Sequence, residues 1–277
     1  MHIYISADIE GVAGVVSPAQ TLQQGFEYAR ARRWMTDEVR AACEGAFAGG
    51  ASAITVSDSH GNGQNLLLEE LPDKVRIVRN WPRPLGMMQG VERAETAAAL
   101  LIGYHSGAQH AHGVLAHTGS GRLIKTIYLN GQSASETDLN IALAYHYGVP
   151  VVMASGDDVF CQHARESIGD GVVTVECKVA TGRYSADTLT PAESCARIRA
   201  AAEQAVASLP MTAPPPPAAP LNLVVEFQRH LPAELLDYLP GFQREGATGI
   251  AIELPDMLSV TRVLGFITAV QFDEQIP

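Results

Sequence analysis

Residues 1–11 read MHIYISADIEG, and the fold can be argued outward from this run. The hexapeptide 2–7, HIYISA, has the composition of a first β-strand, and Asp8 and Glu10 follow it directly, before Gly11. A second strand is expected over 53–57 (AITVS). Between the two, Met35, Val39, Ala42, Cys43, Ala46 and Phe47 recur at helical spacing, and Gly49-Gly50 stops them. Further strands are expected over 100–104, over 126–129 running into a tight turn at Asn130-Gly131, and over 149–154. Ser133 and Glu136 read as an S-x-x-E capping box opening a helix through Tyr147, closed by Gly148. Thr190, Pro191 and Glu193 open another, with Cys195, Ile198, Ala202, Val206 and Leu209 on its apolar face.

Such alternation predicts an α/β fold, with a mainly parallel sheet flanked by helices. Residues 210–220 contain four consecutive prolines and read as a semi-rigid linker. The expected organisation is therefore a catalytic α/β domain over 1–209 and a smaller C-terminal α/β lobe over 221–277. The lobe should hold strands at 223–227 and 249–254, a short helix near 232–238 and a final helix.

The 277 residues are 47% hydrophobic and 18% charged, as in ordinary globular chains. The formal charge of −11 argues against nucleic acid or an anionic membrane surface as partner. The N-terminus has no basic region of the signal-peptide kind, and no apolar run is long enough to span a bilayer. Cys43, Cys161, Cys177 and Cys195 lack CxxC spacing, which fits buried free thiols and a cytoplasmic location.

Polar residues of metal-ligand type fall just after the strands: Asp8 and Glu10 after the first, His60 after the second, His105 after the third. In an open α/β sheet, ligands bind outside the carboxyl ends of the strands, where these side chains could converge. Two carboxylates on one side of a site repel unless a cation or proton intervenes. With imidazoles nearby zinc suits best, ahead of manganese, cobalt or iron. A pair of metals about 3.5–4 Å apart needs a bridging carboxylate and roughly five protein ligands, and Glu136 could be the fifth. Plainer readings stand beside these: loop caps or arginine partners for Asp8 and Glu10, polar strand ends for His60 and His105, and the capping box for Glu136. A nucleotide loop at Gly11-Val-Ala-Gly14 is discounted, since the third glycine of that fingerprint is missing.

Asp8-Ile9-Glu10-Gly11, Ser57-Asp58-Ser59-His60, Gly103-Tyr104-His105, Asn130-Gly131 with Glu136, and Gly156-Asp157-Asp158 occur in that order. Together they resemble the dipeptide-permease-associated D-aminopeptidases, the M55 zinc metallopeptidases. The resemblance implies a dinuclear zinc aminopeptidase acting on short peptides, D-Ala-D-Ala-like ones included. It implies Asp8 as the shared ligand, Glu10 and His105 completing one zinc, and His60 and Glu136 the other. It further implies His117 as the catalytic histidine and a ring-shaped homo-oligomer enclosing the active sites. The run Gly113-Val-Leu-Ala-His117 suggests a strand holding that ring, while His110 and His112 fall in a loop expected to be solvated. Asp157 and Asp158 could hold a substrate ammonium or an active-site arginine, or form a turn. An L-specific dipeptidase on the same site, or a non-catalytic peptide-binding protein of the same fold, are the rival readings.

Overall fold

The computed structural model describes residues 1–210, 212–270 and 272. Its strands are β1 (His2–Ala7), β2 (Ala53–Asp58), β3 (Val75–Val78), β4 (Thr96–Tyr104), β5 (Ile124–Leu129), β6 (Gln132–Ala134), β7 (Val151–Asp157), β8 (Val173–Gly182), β9 (Ser185–Thr188), β10 (Leu221–Phe227), β11 (Phe242–Glu245) and β12 (Gly249–Leu254). The helices are α1 (Pro18–Thr21), α2 (Tyr28–Ala48), α3 (Glu136–His146), α4 (Asp158–Ile168), α5 (Pro191–Ala207), α6 (His230–Asp237) and α7 (Met257–Ala269).

Seven strands form the main sheet in the order β3-β2-β1-β4-β7-β8-β9. All its pairs are parallel except β8 with β9. All six residues of β1 are buried, as expected of a strand covered on both faces. Its side chains divide between two cores. Ile3 and Ile5 pack with Met35, Val39 and Ala42 of α2 and with Ile198 and Ala202 of α5. Tyr4 joins Leu101, Leu143 and the residues of a second sheet on the other side. The strand's two-residue period thus separates the layers.

β2 and β3 lie on one side of β1, and β4, β7 and β8 on the other, so the strand order reverses between β1 and β4. Ligand sites of open α/β sheets form at such a switch point. Register places Ala7 beside both Asp58 and Ile102, so the residues following β1, β2 and β4 emerge at one edge.

The second sheet, β11-β12-β10-β5-β6, is antiparallel. The strands after the linker do not make a sheet of their own; β10 pairs with β5, from the middle of the first segment. Within the linker Met211, and at the C-terminus residue 271 and residues 273–277 of the expected lobe, lie outside the described residues. Asn130 and Gly131, with φ of 52° and 78°, make the tight β5–β6 turn that their sequence signals. All four cysteines are free thiols; Cys43, Cys161 and Cys177 are buried and Cys195 half-buried. No helix among the described residues is long and apolar enough to cross a membrane.

Candidate metal centre

The loops after β1 and β4 approach so closely that only glycine fits at two points. A Cβ on Gly11 would sit 1.8 Å from the Tyr104 carbonyl oxygen, and one on Gly103, whose φ is +70°, 2.3 Å from that of Asp8. Gly11 donates its N–H to Gly103 O at 2.8 Å, and Asp8 its N–H to Ile102 O at 2.9 Å. This contact brings Asp8 and Glu10 alongside His105.

Asp8 faces two ways. Its Oδ1 lies 3.2 Å from His60 Nδ1, which is also 3.1 Å from Glu10 Oε2. Its Oδ2 lies 3.5 Å from His105 Nε2, which is equally 3.5 Å from Glu136 Oε1. The donors therefore form two groups, Asp8/Glu10/His60 and His105/His117/Glu136, each within 4.8 Å. By distance Glu10 groups with His60, and His105 with Glu136, on opposite sides of the Asp8 carboxylate, whereas the resemblance implies Glu10 with His105 and His60 with Glu136. Asp8, Glu10 and His105 form a buried floor, while the half-buried His60, Glu136 and His117 form a rim open to solvent.

Backbone carbonyls orient all three imidazoles. His60 Nε2 meets Thr21 O at 2.8 Å, His105 Nδ1 meets Ser106 O at 2.9 Å, and His117 Nδ1 meets Leu115 O at 2.9 Å. A carbonyl can only accept, so these nitrogens carry the hydrogens when the rings are neutral, and the lone pairs of His60 Nδ1, His105 Nε2 and His117 Nε2 face the carboxylates.

Glu136 corrects the capping assignment. The N-cap of α3 is Ser135, not Ser133, and its partner is Asp138: Ser135 accepts Asp138 N–H, and Asp138 accepts Ser135 N–H at 2.8 Å. Ser133 is still in β6. The shift by two residues releases Glu136 to the first helical position, where its Oε1 accepts Gly119 N–H at 2.6 Å and reaches the site.

His117 does not sit on a strand, as its alternating neighbours suggest. The segment is irregular, and Leu115 has φ of +54°. Anchors from elsewhere hold it: Asp157 Oδ2 accepts Val114 N–H at 2.7 Å, and Leu115 donates its N–H to Arg183 O at 2.9 Å. The imidazole stacks on His105, with ring centroids 4.1 Å apart and planes within 10°. Asp157 also caps α4 through Phe160 N–H, and Asp158 accepts Ala180 N–H, so both acids engage backbone. His112 is exposed, as expected, whereas His110 packs edge-on against His163 at 4.9 Å.

Residues the sequence reading passed over complete the surroundings. Asn65 links Asp58 Oδ1 to the carbonyl of His60 through its side-chain amide, and Asp58 Oδ2 accepts the N–H groups of Asn65 and Leu66. Lys178 stands behind the Glu10 loop. Asn65 follows His60 by five residues, whereas Lys178 lies 168 positions from Glu10, where no local pattern marks it.

Electrostatics state the need for a cation. Burial, with the Glu10 charge beside it, pushes Asp8 up to about 7. Burial opposes ionisation of Glu10 too, but His60 outweighs it and holds Glu10 well below the usual carboxylate range. Burial disfavours the cationic forms of His60 and His105, yet the facing carboxylates raise both. His117 shifts down, through burial and the neighbouring His105, and so stays neutral. Glu10 Oε2 is buried without a hydrogen-bond partner among the described residues; it is near His60 Nδ1 but not aligned with it. An orphaned carboxylate oxygen beside imidazole nitrogens, in a mixed N/O donor set, fits zinc.

The same helix start carries a separate ion pair. Asp138 lies 2.9 Å from His163 Nε2; burial opposes its ionisation, but His163 holds it down to about 2. The hydrogen bond and charge of Asp138 in turn raise His163. The Asp138 contribution to stability is present above the ordinary carboxylate value of about 3.9 and is lost as pH falls towards 2. That of His163 is full below about 6.5 and is lost as pH rises through its raised value. Thermal melts of His163→Ala should therefore show a loss of about 1–2 kcal/mol between roughly pH 4 and 6.5, shrinking on either side. A deficit constant with pH would contradict this.

A buried imidazole and carboxylate centre at the switch point of a parallel α/β sheet, with a neutral imidazole at its rim, is the layout of a metal-dependent hydrolase. The chain belongs to the M55 peptidase family, described as D-aminopeptidase, whose sequence profile matches residues 1–266. A D-aminopeptidase of Bacillus subtilis (strain 168) is 29% identical over 266 residues, covering 95% of each chain. The fold is similar to that of the Zn-dependent D-aminopeptidase DppA from Bacillus subtilis, a self-compartmentalizing protease. That comparison gives a TM-score of 0.91 at 28% identity, covering 98% of this chain and 99% of the other.

Proposed function

We propose that this chain is a dinuclear zinc aminopeptidase that removes the N-terminal residue of short peptides, D-Ala-D-Ala-like ones among them. The observation that carries the reading is the placement of Asp8, whose two oxygens each face a separate group of donors. Glu10 and His60 would complete one zinc, and His105 and Glu136 the other. Bound there, zinc would supply Lewis-acid polarisation of the peptide carbonyl and a lowered pKa for the attacking water.

The remaining work falls to the chain's own groups. His117 presents an unprotonated Nε2 at the rim, 3.7 Å from Glu136 Oε1, and is placed to accept a proton and return it to the leaving amine. Leu115 O and the His105 face hold its ring in one orientation. The acidic floor favours the cationic N-terminus of a peptide. A homo-oligomeric ring is part of the reading, supported by the self-compartmentalizing description of the similar structure. A cytoplasmic location is likewise proposed, on the free thiols.

Zinc-loaded protein should hydrolyse D-Ala-D-Ala with a far higher kcat/KM than L-Ala-L-Ala, and light scattering should give a multiple of 29.5 kDa. Hydrolysis of the L-dipeptide alone would select the L-specific alternative. Peptide binding without turnover of either would select the non-catalytic one.

A further inference from the structure

Lys178 of β8 is 2% exposed and, among the described residues, lies in no ion pair. Its Nζ donates to three backbone carbonyls: Glu10 O at 2.5 Å, Val12 O at 2.9 Å and Val15 O at 2.5 Å. An ammonium has three hydrogens, and all three are used on one loop. Glu38 of α2, 1% exposed, accepts Ala13 N–H at 3.0 Å and the Ser194 hydroxyl at 2.7 Å. The loop over 10–15 has no sheet ladder, and a buried amine and a buried carboxyl side chain bond several of its carbonyl and amide groups.

The peptide between Glu10 and Gly11 is held at both ends. Its carbonyl accepts from Lys178, and its N–H donates to Gly103 O at 2.8 Å. That peptide carries the Glu10 side chain. Burying an ammonium carries a desolvation cost that only well-formed hydrogen bonds offset, and here the loop carbonyls supply them. A hydrophobic residue here would remove the Lys178 donor from all three carbonyls, Val12 O alone keeping the Val15 N–H at 3.1 Å.

We propose that Lys178 is a positioning residue of the metal centre: by clamping the Glu10–Gly11 peptide it holds the Glu10 carboxylate in its ligating place before any metal arrives. The inference rests on the reading of Glu10 as a zinc ligand. Groups behind ligands typically tune affinity or activity by about 10–100-fold. Lys178→Met keeps the length of the side chain and removes its donors, whereas Lys178→Gln can serve some of the carbonyls.

Zinc affinity should be measured by chelator competition, with kcat and KM, on full-length protein. Lys178→Met should weaken one of the two zinc sites at least tenfold, leave the other near wild type, and lower kcat more than it raises KM. Lys178→Gln should fall between. Wild-type affinity at both sites and unchanged kcat, with only a lowered Tm, would overturn the proposal. A wild-type protein that binds no zinc would overturn the ligand reading and the inference with it. If neither variant folds, hydrogen exchange on metal-free wild type decides. Slow exchange at Gly11 and Ala13 supports a loop set in advance, and fast exchange that slows only on zinc addition refutes it.

Discussion

His117→Ala should retain both zinc ions and lose about 10²–10⁴ in kcat, the usual cost of removing a positioned proton-transfer group. The expectation comes from the way the ring is held. Leu115 O takes one nitrogen, the His105 face supports the plane, and Asp157 and Arg183 O anchor the backbone N–H groups of Val114 and Leu115. Its free Nε2 is 3.7 Å from Glu136, within the same donor group as His105. That closeness makes a ligand role the competing account, and metal content separates the two. A variant that sheds zinc makes His117 a ligand. One that keeps both zinc and rate makes it structural. His112→Ala should stay near wild type, because that side chain is exposed.

Removal of zinc should abolish activity, and its return should restore it. Elemental analysis of dialysed protein should give two equivalents per chain; well under one would refute the dinuclear reading. Asp8→Ala should have the widest effect, since each Asp8 oxygen serves a different donor group. It should lose most of both ions, whereas His60→Ala should mainly lose the ion shared with Glu10. Zinc binding must also displace the protons that the facing carboxylates hold on His60 and His105, so affinity should fall as the medium is acidified. At about a thousandfold excess over Kd, each bound zinc should add about 4 kcal/mol of stability, readable as a rise in Tm that chelation reverses. A Tm unaffected by chelator would mean that no such site exists.

Much of this molecule is written locally. The HIYISA strand, the α2 stripe from Met35 to Ala46, the Asn130-Gly131 turn and the Thr190 cap of α5 all appear where residue spacing places them. The reason is physical: side-chain period and backbone hydrogen-bond demand are properties of neighbours along the chain. The appearance of Asp8, His60 and His105 just beyond the ends of parallel strands follows from the same periodicity, because parallel strands end together at one edge.

Tertiary structure alone decided the rest. Ser133 and Ser135 both satisfy a capping pattern in sequence, and only the path of β6 into α3 assigns the cap to Ser135 and releases Glu136. The alternating run before His117 looks like a strand, but its N–H groups are taken by Asp157 and Arg183 rather than by a ladder. β5 leaves the first segment to pair with β10, 92 residues beyond its hairpin turn as counted from Asn130 to Asn222. Lys178 reaches the Glu10 carbonyl across 168 positions. Such partners are chosen by register and packing between distant elements, and the spacing of neighbouring residues carries no record of them.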